Sequence, residues 1–175
     1  MNILFWGLES PPHQGGIGVY MMTMAQALVS NGHRVTWITA IHPGCPAEKE
    51  VGGVHLRRCY HPRDIRSRKL AENLCAIARE MRADWIEGAD HLGECATLLA
   101  LRRRPPVLIK AHGPQCLWRI QKTQVHHLWQ TLPLAGALLK ILPQLIGEWK
   151  CLERADALLA PGPSMLSLLR AHGIR

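Results

Sequence analysis

Pro11-Pro12-His13-Gln14-Gly15-Gly16-Ile17-Gly18-Val19-Tyr20 joins an apolar run to an amphipathic helix, and its reading decides the fold. Upstream, Asn2-Ile3-Leu4-Phe5-Trp6-Gly7 is short and continuously apolar, the pattern of a strand buried on both faces of a parallel sheet. Downstream, Ile17, Tyr20, Met21, Met24, Ala25 and Leu28 recur at helical spacing and form one stripe, which Asn31-Gly32 terminates. A strand, a glycine-bearing loop and a helix start, in that order, make an anion site. Gly15, Gly16 and Gly18 leave room for close approach, and the first helical amides are expected to point outward, unpaired, at the positive end of the helix dipole.

The spacing excludes two common anion sites. A dinucleotide fingerprint places G-x-G-x-x-G directly after the strand and an acid at the end of the second strand. Here the loop from Leu8 to Gly15 comes first, and the second strand ends in Thr39-Ala40. A P-loop needs Gly-Lys-Ser or Gly-Lys-Thr, and neither follows.

The chain has 175 residues, 47% hydrophobic and 19% charged, as expected of one globular α/β domain with a real core. Its formal charge of +8 and ten histidines suit an acidic partner: nucleic acid, an anionic membrane surface or a phosphorylated substrate. The six cysteines contain no Cys-x-x-Cys pair, so they read as small hydrophobes in a reducing compartment, with no metal site. No positive segment precedes the first apolar run and Glu9 interrupts it, which argues against a signal peptide and for the cytosol.

Val35 to Thr39 reads as a second parallel strand. Pro43 to Gly53 reads as a polar loop, and Val54 to Arg58 as an edge strand with one wet face. A basic segment follows, with Arg57, Arg58, Arg63, Arg66, Arg68 and Lys69 as either a solvated face or a contact for anionic headgroups or a phosphate-bearing acceptor. Next come a helix carrying Leu70, Leu74, Ile77, Ala78 and Met81, and a strand from Ala83 to Glu87. Gly88-Ala89-Asp90-His91 then leads into a helix from about Leu92 to Leu101, whose end Arg102, Arg103 and Arg104 would complement.

Val107 to Ala111 is a buried strand that delivers His112-Gly113-Pro114 to its carboxyl end, the edge where open α/β sheets place ligands. Leu128 to Ile146 is strongly apolar, but Pro133, Lys140 and Pro143 interrupt it, so a buried or interfacial helix pair is expected there. Ala157 to Ala160 is the last strand, and Ser164 is placed to cap a final helix. Strands alternating with helices predict an α/β fold: a Rossmann-like, doubly wound parallel sheet.

The ordered set of features resembles the N-terminal domain of family-4 glycosyltransferases of the GT-B fold. It comprises Asn2-Ile3-Leu4, Pro12 through Gly15-Gly16, Leu28 with Asn31-Gly32-His33-Arg34-Val35, Asp84 to Glu87, His112-Gly113-Pro114, and Glu153-Arg154-Ala155-Asp156-Ala157. The resemblance implies two Rossmann-like domains facing a cleft, of which residues 1–175 are the acceptor-side one. The donor-binding domain with its paired glutamates is then absent, and this chain carries half of an active site.

The activity so implied is transfer of a sugar from a UDP- or GDP-sugar to a saccharide or lipid-linked acceptor, with retention and without a cofactor or metal. Gly15 and Gly16 would lie against the donor diphosphate, and His112 would face the transferred sugar or the acceptor. Glu87, Asp90 and His91 at the next strand's mouth, and His13 and Gln14 on the loop, are candidates for substrate hydroxyls. The implied partners are the missing donor domain, in cis or as a subunit, and the acceptor. The implied location is the cytoplasm, with possible contact at the inner membrane face and no nucleic acid. The competing reading is a stand-alone basic module that binds a phosphorylated ligand or nucleic acid without chemistry, whose affinity would fall steeply with salt. A nucleotide-dependent dehydrogenase is disfavoured by the loop spacing and the missing acid.

Overall fold

Strand β1 (Asn2–Gly7) is the centre of the molecule, with Ile3, Leu4, Phe5 and Trp6 all fully buried. The computed structural model describes residues 1–12, 15–114, 116–117 and 132–174, with the backbone alone for 132–141. Strand side chains alternate faces, so Ile3 and Phe5 pack on one side of the sheet while Leu4 and Trp6 pack on the other. The first side is covered by α1 (Gly16–Ser30), through the stripe of Ile17, Tyr20, Met21, Met24, Ala25 and Leu28. The second side is covered by α2 (Arg68–Glu80), α3 (Ala96–Leu99) and the last turns of α4 (Leu132–Arg154).

The other strands are β2 (Arg34–Ala40), β3 (Glu48–Val51), β4 (Val54–Tyr60), β5 (Trp85–Ala89), β6 (Val107–Lys110) and β7 (Ala157–Leu159). They form one sheet in the order β3-β4-β2-β1-β5-β6-β7. Every neighbouring pair is parallel except β3 with β4. The doubly wound, Rossmann-like α/β fold is therefore as read from the sequence. The last helix, α5 (Pro163–Ala171), packs beside β7 through Leu168 and Leu169.

Five local readings are corrected. The polar loop from Pro43 to Gly53 contains β3, and β4 is covered rather than an edge. Gly52 (φ +58°) and Gly53 (φ +78°) supply the two positive-φ positions of a tight hairpin, and Val51 pairs with Val54 across it. The helix expected over Leu92–Leu101 shrinks to a 3-10 turn (His91–Gly93) and α3, because Leu92 and Gly93 both adopt positive φ. Arg104 does not cap that helix; it bridges to Asp156, whose Oδ2 also accepts the Val107 amide at 2.7 Å. Burial pushes the Asp156 carboxyl up, but the Arg104 guanidinium and that amide outweigh it and hold the group below its ordinary value. Ser164 is not the cap of α5: Gly162 takes that position and Pro163, with φ already set for a helix, begins it.

In the expected helix pair, residues 128–131 lie outside the described residues, and 132–154 form one helix that runs through Pro143. Among the described residues no helix is long and apolar enough to cross a membrane. Half of the basic segment is engaged within the chain. Arg57 pairs with Glu48 at 3.1 Å and Arg68 with Glu72 at 2.7 Å, while buried Arg58 donates to the carbonyls of Pro46 and Pro11. Cys75, Cys95, Cys116 and Cys151 are buried and all six cysteines are free, as small hydrophobes would be.

Candidate functional site

The carboxyl ends of β1, β5 and β6 bring three loops to one edge of the sheet, beside the start of α1. The loop after β1 begins Leu8-Glu9-Ser10, that after β5 is Asp90-His91-Leu92-Gly93, and that after β6 is Ala111-His112-Gly113-Pro114. Parallel strands put their ligand edges together in this way because each crossover helix returns the chain to the opposite end.

Gly15 is the N-cap of α1 and Gly16 its first residue. The expectation of unpaired amides there is corrected. Glu9 turns its carboxylate into the helix start, where Oε2 accepts the amides of Gly15 at 2.8 Å and Gly18 at 2.7 Å. Orphan amides at the positive end of a helix attract the nearest carboxylate, and Glu9 is six residues from the first of them. A Cβ on Gly15 would come within 2.9 Å of Glu9 Oε1, whereas one on Gly16 would meet nothing within 4 Å. His13 and Gln14 lie outside the described residues.

His112 is held by its backbone, whose amide donates to Asp90 Oδ1 at 3.1 Å. Its ring stands edge-on to Tyr20, with centroids 4.9 Å apart and planes at 75°. Nε2 is buried and finds no hydrogen-bond partner among the described residues. Burial, reinforced by the neighbouring Lys110 charge, lowers this imidazole to about 4, so it is neutral at pH 7, with one nitrogen donating and one accepting.

The acids around it are deeply placed. Glu87 is 4% exposed and accepts a hydrogen bond from the Tyr20 hydroxyl at 3.2 Å. Burial pushes Glu87 up to about 7, against the opposing pull of Tyr20 and Lys110. The Tyr20 hydroxyl is raised too, by burial first and then by Glu87. Asp90 is 1% exposed, its Oδ2 is unpartnered among the described residues, and burial raises it to about 7 although the His112 amide pulls the other way. Lys110 Nζ sits 4.7 Å from the centroid of the Tyr20 ring. His91 is half-buried and opens the 3-10 turn next to Asp90.

The two loops after β5 and β6 share one clamp. Glu148, on α4 and 1% exposed, accepts the Leu92 amide at 3.2 Å through Oε1 and the Cys116 amide at 2.9 Å through Oε2. Its neighbour Gly147 lies so close to Gly93 that a Cβ there would be 2.5 Å from the Gly147 Cα. Glu94, 3% exposed, reaches the other way and accepts the Leu8 amide at 3.3 Å; burial pushes it up to about 8.

The structure thus gathers Glu87, Asp90, His91 and His112, with Gly15 and Gly16 at the same edge. Sequence reasoning missed Glu9, Tyr20, Glu94, Lys110 and Glu148 as parts of this edge. Tyr20 lay in the core stripe of α1, and Glu9 was noted only as an interruption of an apolar run. Among the described residues no group of histidine, cysteine and acidic side chains could hold a metal ion.

The model of Glycosyltransferase Family 4 matches residues 14–175. No curated protein matches the chain. Among solved structures, sucrose-phosphate synthase from Thermosynechococcus elongatus is similar with a TM-score of 0.66 and 17% identity, over 98% of this chain and 45% of that one. At that identity the likeness speaks for the fold, and this chain spans about half the length of that protein. The family match runs from the glycine loop through the last helix and takes in six of the sheet's seven strands, and on that ground the chain belongs to Glycosyltransferase Family 4.

Proposed function

We propose that this chain is the acceptor-side domain of a glycosyltransferase that moves a sugar from a UDP- or GDP-sugar to a saccharide or lipid-linked acceptor, with retention, in partnership with a donor-binding domain. The observation that carries the reading is the neutral His112 imidazole, its Nε2 without a partner among the described residues, at the sheet edge where α1 begins. A neutral imidazole can accept from one sugar hydroxyl and donate to another atom, which orients a substrate without adding charge. Glu87 and Asp90, both poised near 7, can hold or release a proton next to it.

As the bond between sugar and nucleotide breaks, negative charge grows on the diphosphate, and preorganised amides at a helix start stabilise it. In this chain Glu9 already engages two of those amides, so an incoming diphosphate exchanges one anion for another at Gly15 and Gly18. The internal engagement of Arg57, Arg58 and Arg68 leaves the basic segment less free for nucleic acid than its sequence implies.

The test is to assay the chain together with its donor-binding domain for release of nucleotide from UDP- and GDP-sugars. Gly16→Val is expected to keep the fold, since its side chain projects into open space, and to lower turnover by about 100-fold by blocking close approach of the diphosphate. If the variant unfolds, Gly16 is a structural glycine and its assignment to the diphosphate fails. If no donor is hydrolysed with the domains joined, the chain is a binding module.

A further inference from the structure

The backbone of His112 and its side chain are held by different means. The amide is tied to Asp90, while the ring's buried Nε2 finds no hydrogen-bond partner among the described residues. Rotation of an imidazole about its terminal side-chain torsion is soft, with a broad, roughly two-fold profile, so some other contact must set the ring plane. Among the described residues the ring contact is the edge-on ring of Tyr20. Edge-to-face pairs at this separation are attractive beyond the area they bury, which favours one ring orientation over its alternatives.

Tyr20 is itself unusually constrained. Its hydroxyl ends on Glu87 of β5, its face lies under the ammonium of Lys110 of β6, and its backbone belongs to the second turn of α1. One side chain therefore ties the helix that opens at the glycine loop to both strands whose ends carry the candidate polar groups. A tyrosine needed for core volume alone would require neither the hydroxyl partner nor the cation over its face, and Met21 and Ala25 of the same stripe bury more completely.

The geometry points to Tyr20 as a positioning residue that fixes the plane of the His112 ring at the sheet edge. This rests on the reading of His112 as a ligand-facing residue and adds to it the group that aims the ring. Tyr20 touches neither ligand nor reacting atoms in this role. It acts through His112.

The experiment follows the His112 imidazole by NMR through a pH titration of the 175-residue chain, in the wild type, Tyr20→Phe and Tyr20→Ala. Ring-to-ring nuclear Overhauser contacts between Tyr20 and His112 are expected in the wild type. Tyr20→Phe keeps the ring, and its His112 is expected to titrate within about half a unit of the wild type, far below the ordinary value of about 6.5. Tyr20→Ala opens the ring to water, and its His112 is expected to rise by about one unit or more toward that value. An unchanged His112 in Tyr20→Ala overturns the proposal, as does a Tyr20→Phe that shifts as far as Tyr20→Ala. Should Tyr20→Ala not fold, the wild type and Tyr20→Phe still decide: missing ring-to-ring contacts, or a His112 that changes tautomer when only the hydroxyl is removed, overturn it. None of these readings uses sugar transfer, so a failure of the glycosyltransferase assay and a failure of this assignment are told apart.

Discussion

Raising the pH from about 6.5 to about 8 is expected to lower the stability of this chain by about 2 to 3 kcal/mol, measured by urea unfolding at the two pH values. The cause is the set of buried acids at the ligand edge. Burial raises Glu87 and Asp90 to about 7 and Glu94 to about 8. In this window the folded chain keeps protons that the unfolded chain, with carboxyls near 4, has already released. Stability that depends on a raised carboxyl is full below its unfolded value and is lost as pH climbs through its folded value.

His112 works with the opposite sign, because burial lowers it to about 4 and the unfolded chain binds its proton more readily. Its contribution is confined to the range between about 4 and 6.5, where it opposes the acids, so it no longer opposes them above 6.5. Glu94, 3% exposed, is the largest contributor there. Glu94→Gln keeps an acceptor for the Leu8 amide and is expected to flatten the slope by about 1 kcal/mol per pH unit averaged over the window. Stability that is level or rising across the window would show that these acids are ionised in the folded state.

Gly93→Ala is expected to cost about 3 kcal/mol or more, read from the urea midpoint at constant slope. Two penalties coincide. The new Cβ would lie 2.5 Å from the Cα and 2.6 Å from the carbonyl carbon of Gly147, and 2.9 Å from the amide nitrogen of Glu148. These are backbone atoms of α4, so relief requires the helix to move. Gly93 also sits at φ +67°, a conformation that alanine adopts with strain. Displacement of α4 would pull Glu148 from the amides of Leu92 and Cys116, and faster hydrogen exchange at those two amides is the accompanying signature. Gly16→Ala, with no neighbour within 4 Å, is the control that should change stability little. A Gly93→Ala protein as stable as the control would mean that the two backbones separate freely.

The glycine loop was legible because glycines, a preceding apolar run and a following helical stripe are all local signals. The hairpin of β3 was not. Three of its four residues are charged, which strands in general disfavour but which exposed edge strands use to discourage pairing with other chains. Glu9 offered a weaker cue, one acid shortly before a helix start, and its meaning depended on how the loop folds back. Glu148 offered none: it lies 56 residues from Leu92 and 32 from Cys116, the two amides that it joins.

The continuous apolar run from Ile3 to Trp6, the helical stripe from Ile17 to Leu28 and the order of strands and helices are short-range consequences of residue chemistry, and they determine the parallel sheet and place His112 at its carboxyl edge. Which groups then surround His112 is a matter of long-range packing. Tyr20 reaches Glu87 across 67 residues of chain and Asp90 meets the His112 amide across 22, and the same burial raises the acids and lowers the imidazole. No window of sequence contains those distances, because the energy that enforces them comes from closing the core between α1, β5, β6 and α4, not from any residue's own preference.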